Sequence, residues 1–140
     1  MSSSMKEESS GMFSTTDRYA LKLLWIIFTI APIIAGLDKF FNKLTYWTMY
    51  IAPFVLKIMP FEAGIFIRII GVIEIAAGIL VAFIPRVGAF IVSAWLLLIV
   101  ANLILIPGYF DVALRDLGLA VCAFAFGLLS IKHTCCCTRK

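Results

Sequence analysis

The chain has 140 residues, of which 63% are hydrophobic and only 14% are charged, with a formal net charge of +4. A water-soluble domain carries roughly 25% charged residues, and the mean hydropathy of +1.07 places most of this chain against lipid or other apolar helices. The basic residues form no run with interleaved stacking aromatics outside the apolar segments, which argues against nucleic-acid binding.

Met1 to Asp17 reads as a polar, Ser-rich, flexible tail carrying Lys6, Glu7 and Glu8. It lacks the basic start, short apolar run and small-residue cleavage site of a secretory signal, so the first span is expected to act as its own uncleaved signal. Ser2 stands where N-myristoylation needs glycine. The first apolar run covers 19–37 and contains Pro32, which should bend a spanning helix without ending it, because neighbouring helices satisfy the freed backbone groups. The stretch 38–60 mixes Phe40, Phe41, Tyr46, Trp47, Tyr50 and Phe54 with Asn42, Lys43 and Lys57. It offers no clean run of spanning length and reads as short helices in the interface, where Trp and Tyr prefer to sit. A five-span chain is the alternative there. The remaining spans are expected at 63–84, 87–106 and 111–131, separated by turns at Pro85-Arg86 and Pro107-Gly108. The tail 132–140 is basic and Cys-rich, with His133 and Cys135 to Cys137.

The predicted fold is therefore all-α: an integral membrane antiparallel four-helix bundle over 18–131, with a short interfacial helical segment between spans one and two. Four spans put both termini on one side, together with Lys6, Arg18, Lys22, Arg86, Lys132, Arg139 and Lys140. Lys39, Lys43 and Lys57 lie on the other side, so the positive-inside rule places both termini in the cytoplasm. The expected location is the bacterial inner (plasma) membrane.

A charge near the centre of a spanning helix costs roughly 2.5–3.5 kcal/mol on insertion scales, which makes such residues functional candidates. Arg68 and Glu74 on the second span, Asn102 on the third, and Arg115 and Asp116 on the fourth are the candidates. Glu74 falls close to mid-membrane and the others toward the outer ends, so the outer half is polar and the inner half apolar. Gly71, Glu74 and Gly78 share one stripe, and the glycines permit close helix approach. Asp111, Arg115, Gly118 and Cys122 form a comparable stripe on the fourth span. Packing these stripes together predicts Arg115 near Glu74, and Arg68 near Asp111 or Asp116. Register-fixing charge pairs, or snorkelling of both arginines to the interface, is the alternative. An unpaired carboxyl at mid-membrane depth is held as the neutral acid, able to donate to a quinone carbonyl, a lipid headgroup or a substrate, or to relay a proton.

His133 is the only histidine and lies beyond the last span, which excludes a haem or imidazole metal site within the membrane. Walker-type and Gly-x-Gly-x-x-Gly phosphate loops are absent, and Cys122 has no partner for a redox pair in its span. The tail cysteines with His133 could take a soft metal or be palmitoylated, but a reduced cytoplasmic thiol tail is the simpler reading.

Several motifs occur in order: Gly36-Leu37-Asp38-Lys39 closing the first span, an aromatic connector ending before Pro60, Gly71-Val72-Ile73-Glu74-Ile75-Ala76-Ala77-Gly78, Pro85-Arg86, and Arg115-Asp116-Leu117. In these the chain resembles, from Arg18 to Ile131, the DoxX-like family of small four-span membrane proteins. That family includes the small membrane subunit type associated with thiosulfate:quinone oxidoreductases and members linked to membrane thiol and oxidative-stress complexes. The resemblance implies that Lys39, Glu74 and Arg115 line a shared site between the helices.

The expected function is an accessory quinone- or partner-binding subunit of a membrane redox complex handling sulfur or thiols, not a self-sufficient enzyme. It would have no cofactor of its own, a bound quinone or lipid, oxidoreductase partner subunits or a second copy of itself, and no haem. The alternatives are a non-enzymatic lipid- or protein-binding scaffold and a small proton-coupled transporter. A ligand is expected to enter from the outer side and stop near Glu74.

Overall fold

The structure, a computed structural model, describes residues 2–60 and 62–137, with side chains over 15–60 and 62–131. Its elements are helix α1 (Ser2–Phe41), a short 3-10 turn (Trp47–Tyr50), and helices α2 (Pro53–Ile58), α3 (Ala63–Phe83), α4 (Pro85–Ile104) and α5 (Phe110–Cys137). Four segments are long and apolar enough to cross a membrane: Thr15–Phe41, Ala63–Phe83, Pro85–Ile104 and Phe110–Ile131. Their outward faces carry large apolar side chains such as Leu23, Ile30, Val72, Leu98, Leu114 and Phe124. The chain is an integral membrane protein, and its four-helix bundle has the short helical connector between the first two spans.

Helix ends follow the local chemistry. Pro32 lies inside α1 without ending it. The helix runs past the apolar segment through Asp38 and Lys39 to Phe41, and ends where Asn42 adopts φ 48°, a left-handed conformation that Asn tolerates at a helix C-terminus. At its other end α1 takes in the polar segment from Ser2, so that segment continues the first helix. Pro53 and Pro85 sit in the first turns of α2 and α4, where a missing N–H removes no hydrogen bond. Helix α4 stops at Ile104, two residues before the expected end, because Pro107 disfavours helix just before it and Gly108 turns at φ 98°. Helix α5 continues to Cys137; the side chains of His133 and Cys135 to Cys137 lie outside the described residues.

The long seams join α1 to α3 and α4 to α5, with a shorter seam between α3 and α4 and a narrow contact closing α1 on α5. Near the α3–α4 turn the core is apolar. Phe28, Ala77, Val81, Ala89, Val92, Ala123 and Phe126 pack together there, and the Phe28 and Phe126 rings stack with centroids 6.0 Å apart. The Trp25 indole N–H donates to the Ala82 carbonyl at 3.3 Å, tying α1 to the end of α3. Toward the connector the interior becomes polar and aromatic, with Tyr50 and Tyr109 packed against Val100, Leu103 and Ala113.

Candidate functional site

The site begins with glycines. A Cβ on Gly36 would lie 2.6 Å from the Gly71 carbonyl oxygen, and one on Gly71 would lie 2.7 Å from the Gly36 oxygen. A Cβ on Gly78 would come 2.8 Å from the Thr29 oxygen. The glycine stripe of α3 therefore lies directly on the backbone of α1. This corrects the expected pairing of that stripe with α5.

This contact sets the counterion. Lys39 Nζ donates to Glu74 Oε2 at 2.6 Å, and both side chains are buried, at 5% and 8% exposure. Arg115, expected beside Glu74, is instead 70% exposed and among the described residues pairs with its neighbour Asp116, with Nε 3.5 Å from Oδ1. Arg68 is also exposed and forms no ion pair among the described residues, so its expected contact with Asp111 or Asp116 is not made. Gly118 faces open space: a Cβ there would meet nothing within 4 Å, so this glycine packs no helix. Asp116 is half-buried and lies within electrostatic range of Glu74 and Lys39.

Above the pair sits the connector. Lys39 Nζ lies 3.6 Å from the centroid of the Trp47 ring, a cation–π contact. The same indole donates its N–H to Asp38 Oδ2 at 2.7 Å. The other carboxylate oxygen of Asp38 accepts the backbone N–H groups of Lys43 and Leu44 at 3.0 and 2.9 Å. Asp38 thus folds the chain leaving α1 back over Lys39. Nothing in the expected site included Asp38 or Trp47. A signal existed: an acid in the last turn of a helix opposes the macrodipole and needs nearby donors.

Asn102 belongs to the lid. Its Oδ1 accepts the Ala52 N–H at 3.1 Å and its Nδ2 donates to the Tyr50 carbonyl at 2.6 Å. It thereby clamps the connector backbone to α4, while the Tyr50 ring tilts against Tyr109 with centroids 4.9 Å apart. Beside the pair, on α4, the buried Trp95 indole N–H is directed toward the Glu74 carboxylate.

Chemically, the arrangement is a buried ammonium with donors to spare. A lysine has three N–H donors; one serves Glu74, and Trp47 offers a π face in place of an acceptor. Glu74 is not a free acid but half of an ion pair. No family model, no curated protein and no solved structure matches the chain.

Proposed function

We propose that this is a DoxX-like protein acting as an accessory quinone-binding subunit of a membrane redox complex, not as a self-sufficient enzyme. The observation that carries this reading is the buried Lys39 ammonium, 2.6 Å from Glu74 and covered by Trp47. An apolar molecule bearing a carbonyl is what such a site can hold: the spare N–H binds the carbonyl oxygen, and the apolar walls hold the remainder. Quinones meet that description and are already in the membrane. The resemblance of Gly36 to Lys39, Gly71 to Gly78 and Arg115 to Leu117 to the DoxX-like pattern supports the same class. Electron transfer would fall to partner subunits and to the quinone itself.

In the proposed orientation both termini are cytoplasmic, in a bacterial plasma membrane. Arg18, Lys22 and Arg86 lie toward the cytoplasmic side, against Lys43 and Lys57 on the connector. Lys39 drops out of that balance because Glu74 neutralises it.

Purification in mild detergent followed by native mass spectrometry tests the assignment. Wild-type protein should retain quinone, and the charge-free double variant Lys39→Met/Glu74→Met should lose it while remaining folded. Protein partners without quinone would turn the reading toward a scaffold. Proton-coupled flux in vesicles that Glu74→Gln abolishes would turn it toward a transporter.

A further inference from the structure

We infer that the Trp47 indole is a side-chain lid on the Lys39–Glu74 pair: an uncharged carbonyl ligand arriving from the connector side turns the ring off the ammonium and takes its place. The inference rests on the quinone reading above and adds where the head enters and what it displaces.

Each spanning helix sets a residue at the pair. Lys39 comes from α1 and Glu74 from α3, the Trp95 indole of α4 is directed toward the carboxylate, and Asp116 of α5 lies within electrostatic range. The connector supplies the remaining cover, and what it lays there is the Trp47 ring, 3.6 Å from Nζ. That ring is itself part-exposed, whereas Lys39 is 5% exposed. On this side one side chain separates the ammonium from the exterior.

The connector is fastened on both flanks of Trp47. Its backbone is tied to Asp38 at Lys43 and Leu44, and to Asn102 at Tyr50 and Ala52. Between these points the indole is held by its own contacts: the hydrogen bond to Asp38 at 2.7 Å, the face laid on Lys39, and a tilted contact with the Tyr50 ring, centroids 6.1 Å apart. The ring can therefore turn about its side-chain bonds while the backbone on either side stays in place. Side-chain rotation is far faster than the movement of a helix or a domain.

The exchange suits a neutral carbonyl. The cation–π contact is given up for a charge-assisted hydrogen bond from Nζ to the carbonyl oxygen. Glu74 already matches the lysine charge and Asp116 stands nearby, so an arriving anion would bring a surplus negative charge into the site. Leu44, Tyr46 and Met49, close to Trp47 along the connector, are all exposed. Such a surface favours an amphiphile dissolved in the bilayer interface over a water-borne ion.

Fluorine NMR reads the ring directly. The full chain, labelled with 5-fluorotryptophan, is placed in phosphatidylcholine nanodiscs and titrated with a decyl-tailed ubiquinone, the Trp47 resonance being assigned by its loss in Trp47→Phe. That resonance should shift, while the resonance of Trp25, tied to the Ala82 carbonyl, should stay. A water-soluble amine reagent, sulfo-N-hydroxysuccinimidyl acetate, reads the cover. In the wild-type chain the exposed Lys43 and Lys57 should be acetylated and Lys39 spared. Trp47→Ala should raise acetylation of Lys39 by about tenfold or more and leave Lys57 unchanged. Trp47→Phe, which keeps a ring, should preserve the protection, and the quinone should restore it in Trp47→Ala. Lys39 still spared in Trp47→Ala, or a Trp47 resonance unmoved by a quinone that native mass spectrometry shows to be bound, would overturn the lid and leave quinone binding standing. Lys39 exposed in Trp47→Ala but unprotected by quinone would remove the quinone reading itself, and the exchange with it.

Discussion

Lys39 and Glu74 are each a poor tenant of a hydrocarbon environment and together a tolerable one. Burying either ion alone carries an effective penalty of several kcal/mol, which their mutual attraction offsets only when the geometry is good. Here it is good: the contact is 2.6 Å and both side chains are enclosed, with the Trp47 ring adding a desolvated cation–π contact. Removing one partner leaves the other buried and uncompensated. Lys39→Met or Glu74→Met should therefore each lower stability by about 3–5 kcal/mol, and Lys39→Met/Glu74→Met should recover most of that loss. Thermal unfolding in detergent across the four proteins measures the coupling; strictly additive losses would mean the pair is not formed. At this scale the sequence is half legible. It shows that Glu74 lies deep enough to need company, since depth follows from position along a helix. It does not show the partner, because depth is one coordinate and the neighbouring helix is another. Arg115 looks suitable from depth and stripe alone, and Lys39 is singled out only through a family resemblance, since a lysine at a span end ordinarily snorkels.

The element scale explains the missing coordinate. Two helices in lipid choose each other by how closely their backbones can approach, not by hydrophobicity, which lipid supplies equally well. Gly71 and Gly78 are contact positions, as their spacing predicts, but their partner is α1, where Gly36 and the Thr29 carbonyl receive them. Gly118 looks equivalent in sequence, but a Cβ there would point into open space. The two kinds of glycine should respond oppositely to a methyl group. Gly71→Ala should shift the α1–α3 seam and destabilise the fold by about 1–3 kcal/mol, through overpacking against backbone that has no rotamer to yield. Gly118→Ala should be neutral or stabilising by up to about 1 kcal/mol, because alanine is the better helix former and meets no obstacle. Unfolding midpoints of the two variants in one detergent decide the matter, and equal destabilisation would place the Gly118 face of α5 against a neighbour. Asn102 teaches the same lesson: its polarity inside a span is visible, but its partners, the Tyr50 carbonyl and Ala52 N–H, belong to a connector whose path no periodicity describes.

Over the whole molecule, the span count is the most legible property because lipid enforces it. Backbone groups within hydrocarbon must find partners inside the protein, so long apolar runs become helices and polar, proline-marked breaks become turns. The same physics leaves orientation to a small difference in charge. Once Lys39 is recognised as neutralised by Glu74, the connector keeps Lys43 and Lys57, while Arg18, Lys22 and Arg86 stand near the opposite ends of the spans. That imbalance predicts a connector outside the cell and tails within it. The chain carries its own reporters: Cys122 faces outward from α5 in a spanning segment, and Cys135 to Cys137 follow the last span. On intact cells a membrane-impermeant maleimide should leave the wild-type chain unlabelled and should label Met49→Cys, whose position on the connector is exposed. Permeabilisation should then make the tail cysteines reactive. Labelling of the wild-type tail on intact cells, with Met49→Cys adding nothing, would invert the molecule and send the connector, its aromatic lid and the Lys39 end of the site to the cytoplasmic face.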